Sequence, residues 1–329
     1  MASSRARRAR RTRRWRAPVW SALIACAVVG ATAAGAVYWQ GHARPGAGGA
    51  VSSSASAPSG GEASVSGGEA SVETVEPVEP GVDGDARLAA AMASVPVADG
   101  AEVSVAVLDP DSGEGASYGT GAFDTASIVK VDILAALLLQ AQDAGRSLTA
   151  SEKSYATAMI ENSDNDSASA LWRTIGTAEG LDAANGRFGL TDTEGGRGPL
   201  WGLTQTTAAD QVTLLRQVFV ADGSALSETS RAYVRGLMEH IADGQGWGVS
   251  AAADAVAGTD GSAWALKNGW LRRSTTGLWV VNSVGRVASG GRGYLVAVVS
   301  RGSGTQAEGI SLTEAAARAA VSALADDTP

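Results

Sequence analysis

The chain has 329 residues, 45% of them hydrophobic, which suffices for one large domain or two small ones. Its charge is split: of 26 Lys and Arg, eight are arginines within the first sixteen residues, leaving 18 against 34 Asp and Glu, a net of −16 beyond that point. That acidity argues against a nucleic-acid partner for the folded part, and a lone cysteine, Cys26, with two histidines, His42 and His240, argues against a disulfide, a Cys-based zinc site or a multi-histidine metal centre.

In chain order, residues 1–16 read as an Arg-rich cytoplasmic tail. Residues 17–39, "APVWSALIACAVVGATAAGAVYW", run 23 positions without a charge, enough to cross a bilayer. The arginines precede this run, as the positive-inside rule requires, and Trp20, Tyr38 and Trp39 sit near its ends. An uncleaved anchor is the favoured reading. The competing ones are a cleaved signal peptide and lipoprotein cleavage before Cys26 in "LIAC". Residues 40–84 are rich in Gly, Ser, Ala, Pro and Glu and hold a short tandem repeat, "GGEASVS" then "GGEASVE". They lack the apolar surface to offset ordering entropy and read as a flexible tether. The expected location is therefore the outer side of a membrane, anchored, secreted or lipidated.

The folded domain is expected over 85–326. It opens with a helix, "ARLAAAMASV", then strands "EVSVAVLD" and "GASYGTG" around the turn "PDSGEG". The stretch "FDTASIVKVDILAALLLQ", 123–140, reads as a buried helix. Further helices are expected over 150–160, 166–175, 207–220 and 228–241. Three strand-like runs follow, "SAWALKNGW", "GLWVVNSVGRVA" and "GYLVAVVSRG". A final helix starts at "SLTEAAARAAVSALA", with Ser311 and Glu314 in a capping-box pattern. Strands at both ends around a helical block predict an α+β domain: an antiparallel sheet flanked by helices, with a helical lobe.

Three short motifs carry chemistry. Ser127 and Lys130, at i and i+3, share one face at a helix start. A lysine there meets the positive end of the macrodipole and loses hydration, so its proton affinity falls. A neutral amine can take a serine's proton, and free N–H groups at the helix start can hold an oxyanion. In "ENSDNDSASAL", Ser163, Asp164 and Asn165 form a loop between helices, offering a hydroxyl that relays protons and an amide that holds a substrate amide. In "ALKNGW", Lys267, Asn268 and Gly269 lie on a strand, where a cation can meet a carboxylate and glycine admits close approach. Each also has a plain structural reading, as cap, turn and edge lysine. His240 reads as a helix C-terminal residue.

Together and in order, the three motifs resemble the serine β-lactamase and penicillin-binding protein superfamily, marked by Ser-x-x-Lys, Ser-Asp-Asn and Lys-Thr-Gly. "AFDTASIVKVDIL", "MIENSDNDSASAL" and "LTQTTAADQVTLLRQ" are most similar to segments of class A β-lactamases, and the likeness spans nearly all of 85–325. The resemblance implies a β-lactamase/transpeptidase-like fold and residue roles. Ser127 is the acylated nucleophile, Lys130 its base or relay, and Ser163 the donor to the leaving nitrogen. Asn165 holds the substrate amide, Asp164 shapes its loop, and Lys267 and Asn268 face the substrate carboxylate. The N–H groups of Ser127 and Trp270 form the oxyanion hole beside Gly269. No metal or organic cofactor is implied; a β-lactam or cell-wall-like peptide is the implied small-molecule partner, and a monomer is expected.

Three departures from the family pattern bear on activity. The third motif reads Lys-Asn-Gly, so an amide replaces a hydroxyl at Asn268. The interval between the first two motifs is short. Class A enzymes deacylate with a glutamate in a Glu-x-x-Leu-Asn stretch, and "GLTDTEGGRGPLWGLTQTT" has none, Glu194 being its only glutamate. Without a base to activate water an acyl-enzyme persists. The expectation is an extracytoplasmic serine hydrolase with slow turnover; the alternative is a non-catalytic module that binds envelope ligands on the same fold.

Overall fold

The computed structural model describes residues 84–254 and 263–325. The expected tail, membrane segment and tether, up to residue 83, lie outside the described residues. Among those described, no helix is long and apolar enough to cross a membrane.

The chain enters through helix α1 (Gly84–Met92), strands β1 (Glu102–Leu108) and β2 (Gly115–Tyr118), a two-residue strand β3 (Phe123–Asp124), a 3-10 turn over Ala126–Ile128, and helix α2 (Val129–Asp143). Helices α3 (Ala150–Glu161), α4 (Asn165–Thr174) and α5 (Thr177–Phe188) follow, then β4 (Gln205–Thr206), α6 (Ala208–Phe219) and α7 (Glu228–Glu239). Strands β5 (Trp264–Arg272), β6 (Trp279–Ser289) and β7 (Arg292–Ser303) and helix α8 (Gln306–Ala325) close the fold. The sheet runs β2-β1-β7-β6-β5, antiparallel throughout, and β3 pairs separately with β4. This is the α+β architecture expected from the sequence.

The sheet is covered on both faces. Leu295, Ala297 and Val299 of β7, with Ala265 and Val284, face α6 and α7 and share one core with α2. The alternate residues Tyr294, Val296 and Val298, with Leu266 and Val287, pack against α1 and α8. Double coverage explains why β7 reads as one apolar run rather than an alternation, since side chains of both parities leave water. Helix α2 is the axis of the helical lobe. Twelve of its fifteen residues are buried, Lys130 and Asp132 among them, the pattern of a helix enclosed on all sides.

Three boundaries differ from the sequence reading. Helix α5 was not expected, because Gly180 and Gly186 weaken its pattern. Gly180 is required there, since a Cβ would run into the Ile175 carbonyl. Helix α8 starts five residues before Ser311. Its capping box is Thr305 with Glu308, each side chain bonded to the other's backbone N–H at 3.1 and 2.9 Å; Ser311 and Glu314 lie inside the helix. Gly309 there packs on Val281 with no room for a side chain. Finally, the expected helix at Phe123 begins as a strand and a 3-10 turn, so regular α-helix starts only at Val129.

Asp132 carries a testable cost. Neither carboxylate oxygen has a hydrogen-bond partner, although Asn185 lies beside it. Burial pushes its carboxyl up to about 7 against the opposing pull of the Asn185 side chain, and the nearby charges of Asp182 on α5 and Asp210 on α6 push the same way as burial. Between the unfolded and folded values the native state holds the extra proton, so this group's contribution falls as pH rises towards 7. Asp132→Asn is expected to raise the melting temperature at about pH 8 by several degrees, with the gain shrinking below about pH 6. Thermal melts across that range check it; an equal gain at both ends contradicts it.

Candidate active site

The site is built at the junction of the sheet and the helical lobe. Pairing of Phe123 with Thr206 and Asp124 with Gln205 anchors the segment that leads into α2. Asn282, fully buried on β6, donates to the carbonyls of Asp124 and Thr125, each at 2.9 Å, and accepts from the Ser300 N–H at 2.9 Å. So held, the chain turns through Ala126 at a φ of 49°, a left-handed conformation costing on the order of 1 kcal/mol or more for a non-glycine residue. Ser127 follows it, half-buried. On the other side, β5 presses Gly269 against this turn. A Cβ at Gly269 would lie 2.7 Å from the backbone nitrogens of Ser127 and Ile128 and 2.9 Å from the Thr125 carbonyl. Trp270 comes next on β5, its ring 5.8 Å from that of Trp247.

Lys130, the second residue of α2, has no exposed surface. Its Nζ donates to the Ser163 carbonyl at 2.6 Å, the Ser163 hydroxyl at 3.1 Å and Asn165 Oδ1 at 2.8 Å. Those acceptors come from the turn between α3 and α4, where Ser163 takes a φ of 55° and Asp164 caps α4 by accepting from the Ser167 N–H at 2.7 Å. Hydrogen bonding from Ser167 holds the Asp164 carboxyl below the ordinary range. Burial pulls the Lys130 amine down to about 7, against the opposing pull of the Asp164 charge. Asn165 is exposed, with Oδ1 taken by Lys130.

Lys267, on the β5 face that meets the helical lobe, donates to the Ser163 hydroxyl at 3.0 Å and to the Asn268 carbonyl at 2.9 Å. The Ser163 hydroxyl thus stands between two amines. Burial, then the nearby Lys130 charge, push the Lys267 amine well below its ordinary value. An incoming anion beside it would favour its protonated form.

Two expectations need correction. Asn268 was expected to face the substrate carboxylate, but strand alternation turns it to the other side of β5 from Lys267. There it is buried, and its amide hydrogens go to the carbonyls of Gln245 at 2.7 Å and Trp247 at 3.1 Å. It ties the 245–247 turn to the sheet. The second concerns Ser127 and Lys130. Ser127 lies in the 3-10 turn before α2 and Lys130 on its first turn, yet the amine is held by the 163–165 turn, and the Ser127 hydroxyl has no hydrogen-bond partner among the described residues. Unliganded active sites often hold such contacts long, tightening only around substrate.

The loop from Glu194 to Gln205 covers the cluster. Its ends pair backbone to backbone at 2.9 Å in both directions, and the Trp172 indole N–H holds the Gly198 carbonyl at 2.8 Å. Glu194 is exposed and lines a 290 Å³ pocket with Asp124 and Arg273 that Ser127 does not line. Trp201 instead stands over the amine, with Lys130 Nζ 5.0 Å from its ring centroid. Among the described residues no carboxylate hydrogen-bonds Ser127 or Lys130, and no group of three His, Cys, Asp or Glu is arranged to hold a metal ion. His240 is remote in role: it ends α7 with Nδ1 2.6 Å from the Gly236 carbonyl.

Sequence reasoning missed Asn282 and Trp201. An Asn within an otherwise apolar strand, "WVVNSV", was the available signal for the first; nothing local marked the second.

Solved structures share this fold at low sequence identity. A mutant of PBP-A, solved as an acyl-enzyme complex with penicillin G, is 21% identical, with a TM-score of 0.60 over 73% of this chain and 97% of that one. The TLA-1 extended-spectrum β-lactamase is 16% identical, at 0.60 over 73% and 98%. A class A β-lactamase from Bacteroides cellulosilyticus is 17% identical, at 0.59 over 74% and 98%. No curated protein matches the chain. A family model described as the beta-lactamase enzyme family matches residues 144–324, more than half the chain, beginning just after α2 and spanning the Ser163 turn and β5. With that match, and a fold shared with class A β-lactamases, the chain belongs to the beta-lactamase enzyme family.

Proposed function

We propose that this protein is a serine acyl-transferring hydrolase that forms a covalent ester with β-lactams or cell-wall-like peptides and releases it slowly. The Ser163 hydroxyl shared by two buried amines, Lys130 and Lys267, is the observation that carries this reading. In the proposed reaction the Ser127 oxygen attacks the lactam or amide carbonyl carbon while its proton passes to the neutral Lys130 amine. The N–H groups of Ser127 and Trp270 face the oxyanion. As the C–N bond breaks, Ser163 gives its proton to the leaving nitrogen and is resupplied by the protonated amine beside it. Asn165 offers its free amide hydrogens to the substrate, and Lys267 meets its carboxylate.

Hydrolysis of the ester needs an activated water. Among the described residues no carboxylate hydrogen-bonds Ser127 or Lys130, and Glu194 lines a separate pocket. Release is therefore proposed to be much slower than acylation. The PBP-A mutant, captured as a penicillin ester, supports penicillin as the first probe. A chromogenic cephalosporin mixed with the full-length protein is expected to give a burst of about one equivalent of product, then a slow steady state. A linear time course without a burst, at high turnover, contradicts slow release; no signal at all removes the β-lactam reading.

A second reading, a non-catalytic envelope-binding module, is favoured by the missing hydrogen bond between Ser127 and Lys130. Residues 17–39 are proposed to hold the domain at the outer face of a membrane, on the strength of their uncharged run and the arginines before it.

A further inference from the structure

We infer that Trp201 is a positioning residue of the acylation site: its indole roofs the Lys130 amine, keeping that amine dry and keeping water from an ester on Ser127. The inference rests on the acyl-enzyme reading above and deepens it, because it names what makes the ester long-lived.

The ring is placed by contacts at both ends. Its centroid lies 5.0 Å from Lys130 Nζ, within the range where an ammonium is attracted to an aromatic face. Its indole N–H donates to the Ser169 hydroxyl at 3.1 Å, on α4 one turn beyond Asn165, which itself accepts from Lys130. The adjacent Gly202 packs on the Ala126 turn, where a Cβ would sit 3.9 Å from the Ala126 Cα. The loop has little freedom to lift. Gly196 packs on the Leu200 carbonyl, its N–H donates to Thr204 Oγ1 at 3.0 Å, and the Glu194–Gln205 neck closes the loop.

The groups that face the Lys130 amine are Ser163, Asp164 and Asn165 from the turn before α4, Lys267 from β5 through the Ser163 hydroxyl, and Trp201 from the loop. Asp164 favours the charged amine and burial opposes it. Of these neighbours, Trp201 alone is large, apolar and only half-buried. Without the ring, water would reach both the amine and the ester below it. An indole also cannot take a proton from water, so the roof excludes water without activating it.

The test compares wild type, Trp201→Ala and Trp201→Phe, using benzylpenicillin as the probe. Acylation rate is followed against pH, and decay of the adduct by intact mass. In Trp201→Ala rehydration of the ammonium outweighs the lost attraction to the ring, so the rising limb of acylation is expected to move up by about one pH unit, and the adduct to decay about tenfold faster or more. Trp201→Phe, which keeps a ring, is expected to retain both wild-type values. A purely structural role would lower the amount of folded protein without moving the limb. A limb that stays in place in a folded alanine variant overturns the proposal, whatever the decay does. Should Trp201→Ala not fold, Trp201→Leu carries the same comparison with a smaller upward shift expected, and an unmoved limb there overturns it equally. Absence of any adduct on wild type overturns the acyl-enzyme reading together with this one, whereas a normal wild-type adduct with an unmoved variant overturns this one alone.

Discussion

Replacing Lys130 by methionine is expected to slow acylation by penicillin about 100- to 10,000-fold, the usual worth of a positioned general base. Methionine fills much the same space, and the oxygens it leaves without a donor are the Ser163 carbonyl and Asn165 Oδ1 at the exposed rim, while the Ser163 hydroxyl stays bonded to Lys267. The fold should therefore persist. The pH dependence gives the sharper signature. With the amine pulled down to about 7, the neutral, proton-accepting form grows as pH rises, so wild-type acylation climbs through about pH 7 and levels above it. The methionine variant should lose that limb and show a low, flat rate. Stopped-flow acylation across pH checks both. A variant that keeps the limb would mean that the titrating base is some other group.

Gly269→Ala is expected to be nearly as damaging, for a steric reason. The added Cβ would meet three backbone atoms of the nucleophile turn at 2.7, 2.7 and 2.9 Å, and backbone cannot swing aside as a long side chain can. The Ser127 turn is already held from below by Asn282, so relief must come from shifting β5 or the turn. Overpacking of this kind costs about 1–3 kcal/mol. It also displaces the Ser127 N–H relative to the Trp270 N–H. Losing one oxyanion donor lowers a rate by about 100- to 1,000-fold, so acylation should fall by that order together with a lower melting temperature. A variant that acylates at the wild-type rate would show that these two N–H groups do not form the oxyanion site.

Much of this site was legible because its chemistry sits in short, local patterns. Ser127 lies in the 3-10 turn that leads directly into Lys130 on α2, and Ser163 to Asn165 is one turn of chain, so their spacing alone brings them to defined places. What was not legible arises where distant segments meet. Asn268 looked like a ligand-facing amide until the pleat of β5 showed it on the face opposite Lys267, occupied by the 245–247 carbonyls. Asn282 binds a turn 157 or 158 residues away, and Trp201 reaches Lys130 through a loop of irregular structure, so neither leaves a local trace. The same holds for the fold. Long elements such as β6, β7 and α7 follow from apolar patterning and length, whereas α5 and the first turns of α8 were hidden by glycines, of which Gly180 and Gly309 are present because Ile175 and Val281 leave no room for a side chain.

Intact-mass measurement of the full-length protein after brief exposure to benzylpenicillin, beside Ser127→Ala treated identically, tests the central assignment most directly. Ring opening adds every atom of the antibiotic to the chain, so wild type should gain one whole penicillin mass and the alanine variant none. An unmodified wild type, or an adduct of equal amount on the alanine variant, would contradict the placement of the nucleophile at Ser127.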